Sequence, residues 1–180
     1  MNRKKVILID DNAWEQVASK LKGLFALHDL ELDVISSVDV AQTMLQNQGA
    51  RCPADIFVID VMMPAGEVYR SEDTHDGLIT GLYLARDVRL AFPLVPIILW
   101  SGTSLNTVRL LAVHMEKKLT KCIFIKKPFP SEKLVELVEG YFACGKFATS
   151  WVRKIWEGII LQPGIGGMKV DVKKLLGEAK

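Results

Sequence analysis

The sequence predicts a doubly wound α/β fold, with a five-stranded parallel sheet covered by helices on both faces. Three observations predict it: short continuous apolar runs, amphipathic segments of helical spacing between them, and a regular alternation of the two along residues 1 to 142. Continuous apolar runs mark strands buried on both faces, and parallel strands need helical crossovers, which are right-handed.

The first strand is Val6 to Ile9, ending in Asp10 and Asp11. Asn12 and Glu15 have the spacing of a capping box, and Val17, Leu21, Leu24 and Phe25 then recur on one helical face. Leu32 to Ser36 reads as a short second strand. Ser36 and Asp39 are suited to cap a second helix that turns Val40, Ala41, Met44 and Leu45 inward, until Gly49 and Pro53 end it. The third strand runs from Asp55 to Asp60 and stops before Pro64. After Gly81, Leu82, Ala85 and Val88 belong to a third helix that ends before Pro93. Pro96 to Ser101 is the fourth strand. Ser104 opens a fourth helix through Met115, Cys122 to Ile125 is the fifth strand, and Ser131 caps a last helix carrying Leu134, Leu137, Val138 and Tyr141.

The bulk numbers allow a full core: 49% of the 180 residues are hydrophobic and 24% charged, which excludes a disordered chain and a disulfide scaffold. A formal net charge of +2 gives no global attraction to nucleic acid or anionic membrane. Cys52, Cys122 and Cys144 are odd in number and lack metal-ligand spacing, as expected of buried thiols in a reducing cytosol. The apolar run after Met1 to Lys5 is too short for a signal peptide, and no run reaches the roughly 18 residues of a membrane span. The expectation is a cytoplasmic protein with no membrane partner.

In doubly wound sheets, ligands bind beyond the carboxyl ends of the strands. Asp10, Asp11, Asp60, Ser101 and Lys127 all fall at or just after such ends. Three carboxylates drawn together repel by up to about 4 kcal/mol per pair at 4 Å and an effective dielectric near 20, so a cation must compensate. Oxygen-only ligation favours a hard ion such as Mg²⁺, and with a hydroxyl and an ammonium nearby the set suits transfer of a phosphoryl group onto one carboxylate. Each residue taken singly also has an ordinary role: Asp10-Asp11 as a helix cap, Ser101 in a turn, Phe124 in the core, Lys126-Lys127 as a solvated pair.

Together these residues resemble the receiver domain of two-component response regulators. The motifs are Asp10-Asp11, Asp60 with Met63-Pro64, Ser101-Gly102, and Lys127-Pro128-Phe129, in that order over residues 1–142. The resemblance implies a flavodoxin-like sheet of order 2-1-3-4-5. It makes Asp60 the phosphoacceptor, Asp11 a direct Mg²⁺ ligand, Asp10 a ligand through water and the Met62 carbonyl a further ligand. Ser101 would bond the phosphoryl group, Lys127 would ion-pair with it, and Phe124 would be the aromatic that rotates with Ser101 on activation. The implied donor is a sensor histidine kinase or a histidine phosphotransfer protein, and the implied reader is a downstream protein effector. Such a protein accepts phosphate stoichiometrically and is not an enzyme in the usual sense.

Two departures stand out. The glycine that follows the proline within a few residues in ordinary receivers has its counterpart here in Gly81, so Ala65 to Thr80 is an insertion beside the acceptor. It reads either as a solvated loop or as a lid in which Tyr69, Arg70 or His75 gates Asp60. Met62 stands where some receivers carry a polar side chain that positions water, which predicts slow phosphate loss, with Thr103 the nearest polar substitute.

Residues 143–180 form an extension with no recognised output module. Phe147, Trp151 and Ile155 share a helical face, Pro163 and the glycines after it break the chain, and Asp171 begins a second short helix. These apolar residues either dock on the receiver or form a surface for a homodimer or a downstream protein. Lacking a helix-turn-helix, the chain is not expected to bind DNA directly. The rival functions are a Mg²⁺-dependent phosphatase with an aspartyl-phosphate intermediate and an unphosphorylated receiver-like scaffold.

Overall fold

The computed structural model describes residues 3–13, 15–47, 49, 51–102, 104, 122–128 and 130–147. The elements are β1 (Lys4–Ile9), α1 (Glu15–Leu27), β2 (Leu30–Ile35), α2 (Val38–Asn47), β3 (Ile56–Asp60), α3 (Thr80–Ala91), β4 (Ile97–Ser101), β5 (Cys122–Lys126) and α4 (Ser131–Cys144). The helix expected from Ser104 to Met115, with Thr103, Phe129 and the extension beyond residue 147, lies outside the described residues.

The five strands are all parallel, in the order β2-β1-β3-β4-β5. Alternation along each strand divides the core in two. Ile7, Ile9, Phe57, Ile59, Ile97, Leu99 and Phe124 face α2 and α3. Val6, Leu8, Ile56, Val58, Ile98, Ile123 and Ile125 face α1 and α4. Both sides of β3 are closed, which is why its run from Ile56 to Ile59 carries no polar residue until the carboxylate at its end.

Some helix details differ from expectation. Val17 and Val40 are exposed: Val17 shares the stripe of Leu21 and Phe25 but lies in the first turn of α1, and Val40 lies off the stripe of Val38, Ala41 and Leu45 in α2. Ser37, not Ser36, caps α2: its Oγ accepts the Asp39 amide at 3.2 Å. Ser131 lies inside α4, whose cap position is Pro130 and makes no side-chain bond. The helix ends at Gly145, whose left-handed φ of 67° lets its N–H reach the Tyr141 carbonyl at 2.8 Å. Just beyond, Phe147 packs on Tyr141 with ring centroids 4.6 Å apart and joins the α1/α4 side of the core.

The segment from Ala65 to Thr80 is not a solvated loop. It folds back on α2 and α3 because it carries its own anchors. The Asp39 carboxylate accepts the amides of Glu67 and Val68 at 3.3 and 3.0 Å. Tyr69 is buried and donates its hydroxyl to Asp87 at 2.8 Å, while Arg86 bridges Asp87 and Glu72. Tyr83 donates to the Asp73 carbonyl at 3.1 Å, and its ring lies 5.8 Å from that of Tyr69. The excursion closes earlier than Gly81, at a neck where the Met63 N–H meets the Gly77 carbonyl at 3.1 Å. Gly77 is required there: its φ is +89°, and a Cβ would stand 2.7 Å from the Met63 carbonyl oxygen.

Candidate functional site

Parallel register brings the reactive strand ends together. Ile9 lies opposite Ile59, so the residues that follow, Asp10 on β1 and Asp60 on β3, emerge side by side. Asp60 pairs with Trp100 and Ser101 with Lys126, which brings the end of β5 to the same edge. The Lys127 N–H then donates to the Ser101 carbonyl at 2.7 Å.

Asp10 and Asp60 are held alike. In each, Oδ1 accepts the backbone N–H two residues on, Asn12 at 2.9 Å and Met62 at 3.1 Å. In each, Oδ2 accepts from Lys127 Nζ, at 2.7 and 2.6 Å. Asp11 is more open and accepts the Asn12 side-chain amide at 3.1 Å. One carboxylate oxygen from each of the three acids lies within 4.8 Å of the others. Gly81 completes the floor: its N–H donates to the Val61 carbonyl at 3.0 Å, and a Cβ there would stand 1.8 Å from the Asp60 carbonyl oxygen.

Burial dominates the electrostatics. It pushes the Asp60 carboxyl above its ordinary value, although the Lys127 ammonium and the Met62 N–H pull the other way. Asp11 is also raised, first by burial and then by Asp10. For Lys127 burial acts downward, yet its bonds to Asp10 and Asp60 outweigh it and leave the ammonium raised. Acid and base of one ion pair are thus both raised, because burial outweighs the lysine's pull on Asp60, whereas at Lys127 the two carboxylates outweigh burial. With all groups ionised, three carboxylates face one ammonium and leave two negative charges in excess.

That excess fits a divalent cation. The donors are all oxygen, as Mg²⁺ requires, and an octahedral ion binding at about 2.1 Å places opposite ligands about 4 Å apart, the scale of this cluster. Asp10, Asp11 and Asp60 would hold it. Met62 lies beside them with its N–H on Asp60.

Ser101 is fully buried at the end of β4, and Phe124 is buried in the α2/α3 side of the core, opposite Leu99. The insertion residues Tyr69, Arg70 and His75 have partners of their own outside this cluster. Tyr69 is committed to Asp87, Arg70 pairs with Glu67 at 2.7 Å, and the His75 imidazole lies 3.5 Å from Asp73. From the sequence, Trp100 reads as a bulky strand residue that packs against a helix, with partner sensing the lesser alternative. It does pack on the α1/α4 side of the core, and its ring also faces the Lys127 ammonium 5.0 Å away. That contact follows from the pairing of Trp100 with Ile125, two residues before the lysine, a register that only the folded sheet supplies.

The fold is that of response-regulator receiver domains. A CheY-like receiver domain protein from Methanospirillum hungatei superposes with a TM-score of 0.58 at 13% identity, over 79% of this chain and 95% of that one. The receiver domain of a Francisella response regulator gives 0.56 at 20% identity, covering 79% and 99%. The Thermotoga maritima response regulator DrrB gives 0.56 at 17% identity, covering 81% of this chain and 55% of its own. No protein-family model matches the sequence, and no curated protein matches it. The likeness is therefore one of fold. No helix among the described residues is long and apolar enough to cross a membrane.

Proposed function

We propose that the protein is a phosphoacceptor of a two-component phosphorelay, with Asp60 as the acceptor. The observation that carries this reading is the central place of Asp60: it closes β3, the middle strand, between the acids that follow β1 and the lysine that follows β5. Asp60 is buried there, one oxygen held by the Met62 amide and the other by Lys127, with Asp10 and Asp11 alongside. Such an oxygen is fixed in direction while remaining a nucleophile.

In the transfer, an Asp60 oxygen bonds to phosphorus as the P–N bond to a donor histidine breaks. The electron pair leaves on the imidazole nitrogen, which takes up a proton. Mg²⁺ would supply charge neutralisation for the phosphoryl oxygens when bound. Lys127 stays close enough to pair with the new phosphoryl group, and Ser101 offers its hydroxyl. The donor is a sensor histidine kinase or histidine phosphotransfer protein, the reader is a protein effector, and the setting is the cytoplasm. The chain accepts one phosphoryl group and does not turn over a metabolite.

Incubation with acetyl phosphate and Mg²⁺, followed by intact mass, tests this. Wild type gains a single phosphoryl group and Asp60→Asn gains none. Sustained hydrolysis of a phosphate ester would make it a phosphatase, and an unmodified wild type would leave a scaffold.

A further inference from the structure

Trp100 is an expensive residue to place where it is. It stands one position before the end of β4, half-buried against the α1/α4 side of the core, and its indole N–H is buried with no hydrogen-bond partner among the described residues. An aliphatic side chain would fill the strand without stranding a donor. What the aromatic adds is a π face: the Lys127 ammonium lies 5.0 Å from its centroid, within cation–π range.

We infer that Trp100 is a positioning residue for phosphoryl transfer, its ring holding the Lys127 ammonium between Asp10 and Asp60. The inference rests on the acceptor reading of Asp60. Lysine is a point charge on a flexible four-carbon stem, so its place depends on what surrounds the ammonium. Lys127 has carboxylates on two sides, and neither is a constant partner. Asp60 becomes an acyl phosphate in the proposed reaction, and Asp10 belongs to the acids that would hold a metal. The indole ring neither titrates nor reacts, so it is the contact that persists when the acids change state. β4 provides it by alternation: Ser101 lies on one side of the strand, and Trp100 on the other, under the lysine that leaves β5.

The test is a double-mutant cycle in the full-length protein, read as the rate of phosphorylation by acetyl phosphate at a temperature where circular dichroism shows every variant folded. Trp100→Leu slows the reaction about fivefold, and Trp100→Phe, which keeps a π face, restores most of the rate. In a Lys127→Ala background, Trp100→Leu changes the rate by less than about twofold, because the tryptophan acts through the lysine. A second readout needs no phosphorylation: ring current moves the Lys127 ε-methylene proton signal upfield in wild type, and Trp100→Leu abolishes that shift. Equal fold-losses in both backgrounds, or an unshifted Lys127 signal in wild type, would overturn the inference. A phosphorylated wild type with an equally fast Trp100→Leu removes the inference alone, whereas a wild type that takes up no phosphoryl group removes the acceptor reading and the inference with it.

Discussion

Each oxygen of Asp60 has its own partner, the Met62 amide on Oδ1 and the Lys127 ammonium on Oδ2, and still burial raises its pKa from 3.8. The unfolded chain ionises this carboxyl more readily than the native protein does. Its contribution to stability is complete below 3.8 and is lost as pH rises through the folded value, so at neutral pH the ionised group weakens the fold. Asp60→Asn is therefore expected to melt a few degrees above wild type in chelator-containing buffer at pH 7. A lower melting temperature would show that Lys127 more than compensates. The raised pKa values of Asp60 and Asp11 also place protons in competition with a metal, so Mg²⁺ affinity measured by calorimetry should fall as the pH is lowered, and begin to fall at a higher pH than it would for carboxyls of ordinary pKa. At this scale the sequence was informative: a carboxylate closing an apolar strand is legible by inspection, whereas its ionisation depends on groups that arrive from β1 and β5.

The insertion and α3 act together as one packed element. Tyr69→Phe removes the hydroxyl's bond to Asp87 and should lower stability by about 1–2 kcal/mol in urea titrations, since Arg86 and Gln42 still serve that carboxylate. Burial, then the bond to Asp87, raises the Tyr69 phenol from 10.0. The native protein holds that proton more tightly than the unfolded chain. The contribution of Tyr69 to stability is thus fully present below pH 10.0 and declines above it, and Tyr69→Phe should flatten that decline. Gly81→Ala places a Cβ against the Asp60 carbonyl and should destabilise by about 2–3 kcal/mol while slowing phosphorylation, because the backbone that presents the acceptor must shift. The polar composition of residues 65–80 suggested a loop in water. Tyr69 and Thr74 are nonetheless buried, and the partner of Tyr69, Asp87, sits on α3 beyond the segment, where spacing within the segment gives no signal.

For the molecule as a whole, the cation site couples metal binding to folding. Mg²⁺ at about 100 times its Kd should stabilise the native state by about 2.7 kcal/mol, seen as a rise in melting temperature that EDTA reverses. Asp60→Asn should gain less, so the order of wild type and variant narrows or inverts between chelator and saturating Mg²⁺. Equal gains in both proteins would place the ion elsewhere.

Strand identity, the alternation with helices and the nature of the reactive groups were decided by the sequence alone, because they depend on local periodicity and on which residue ends each apolar run. Asp10, Asp11, Asp60, Ser101 and Lys127 could be named from that pattern. Only the tertiary structure decided that Lys127 bridges Asp10 and Asp60, that Trp100 lies beneath it, and that the insertion is anchored through Asp39, Tyr69 and Asp87. Those contacts join strands and helices far apart in the chain. They depend on strand order and register, which the packing of the whole sheet sets and no short stretch of residues encodes.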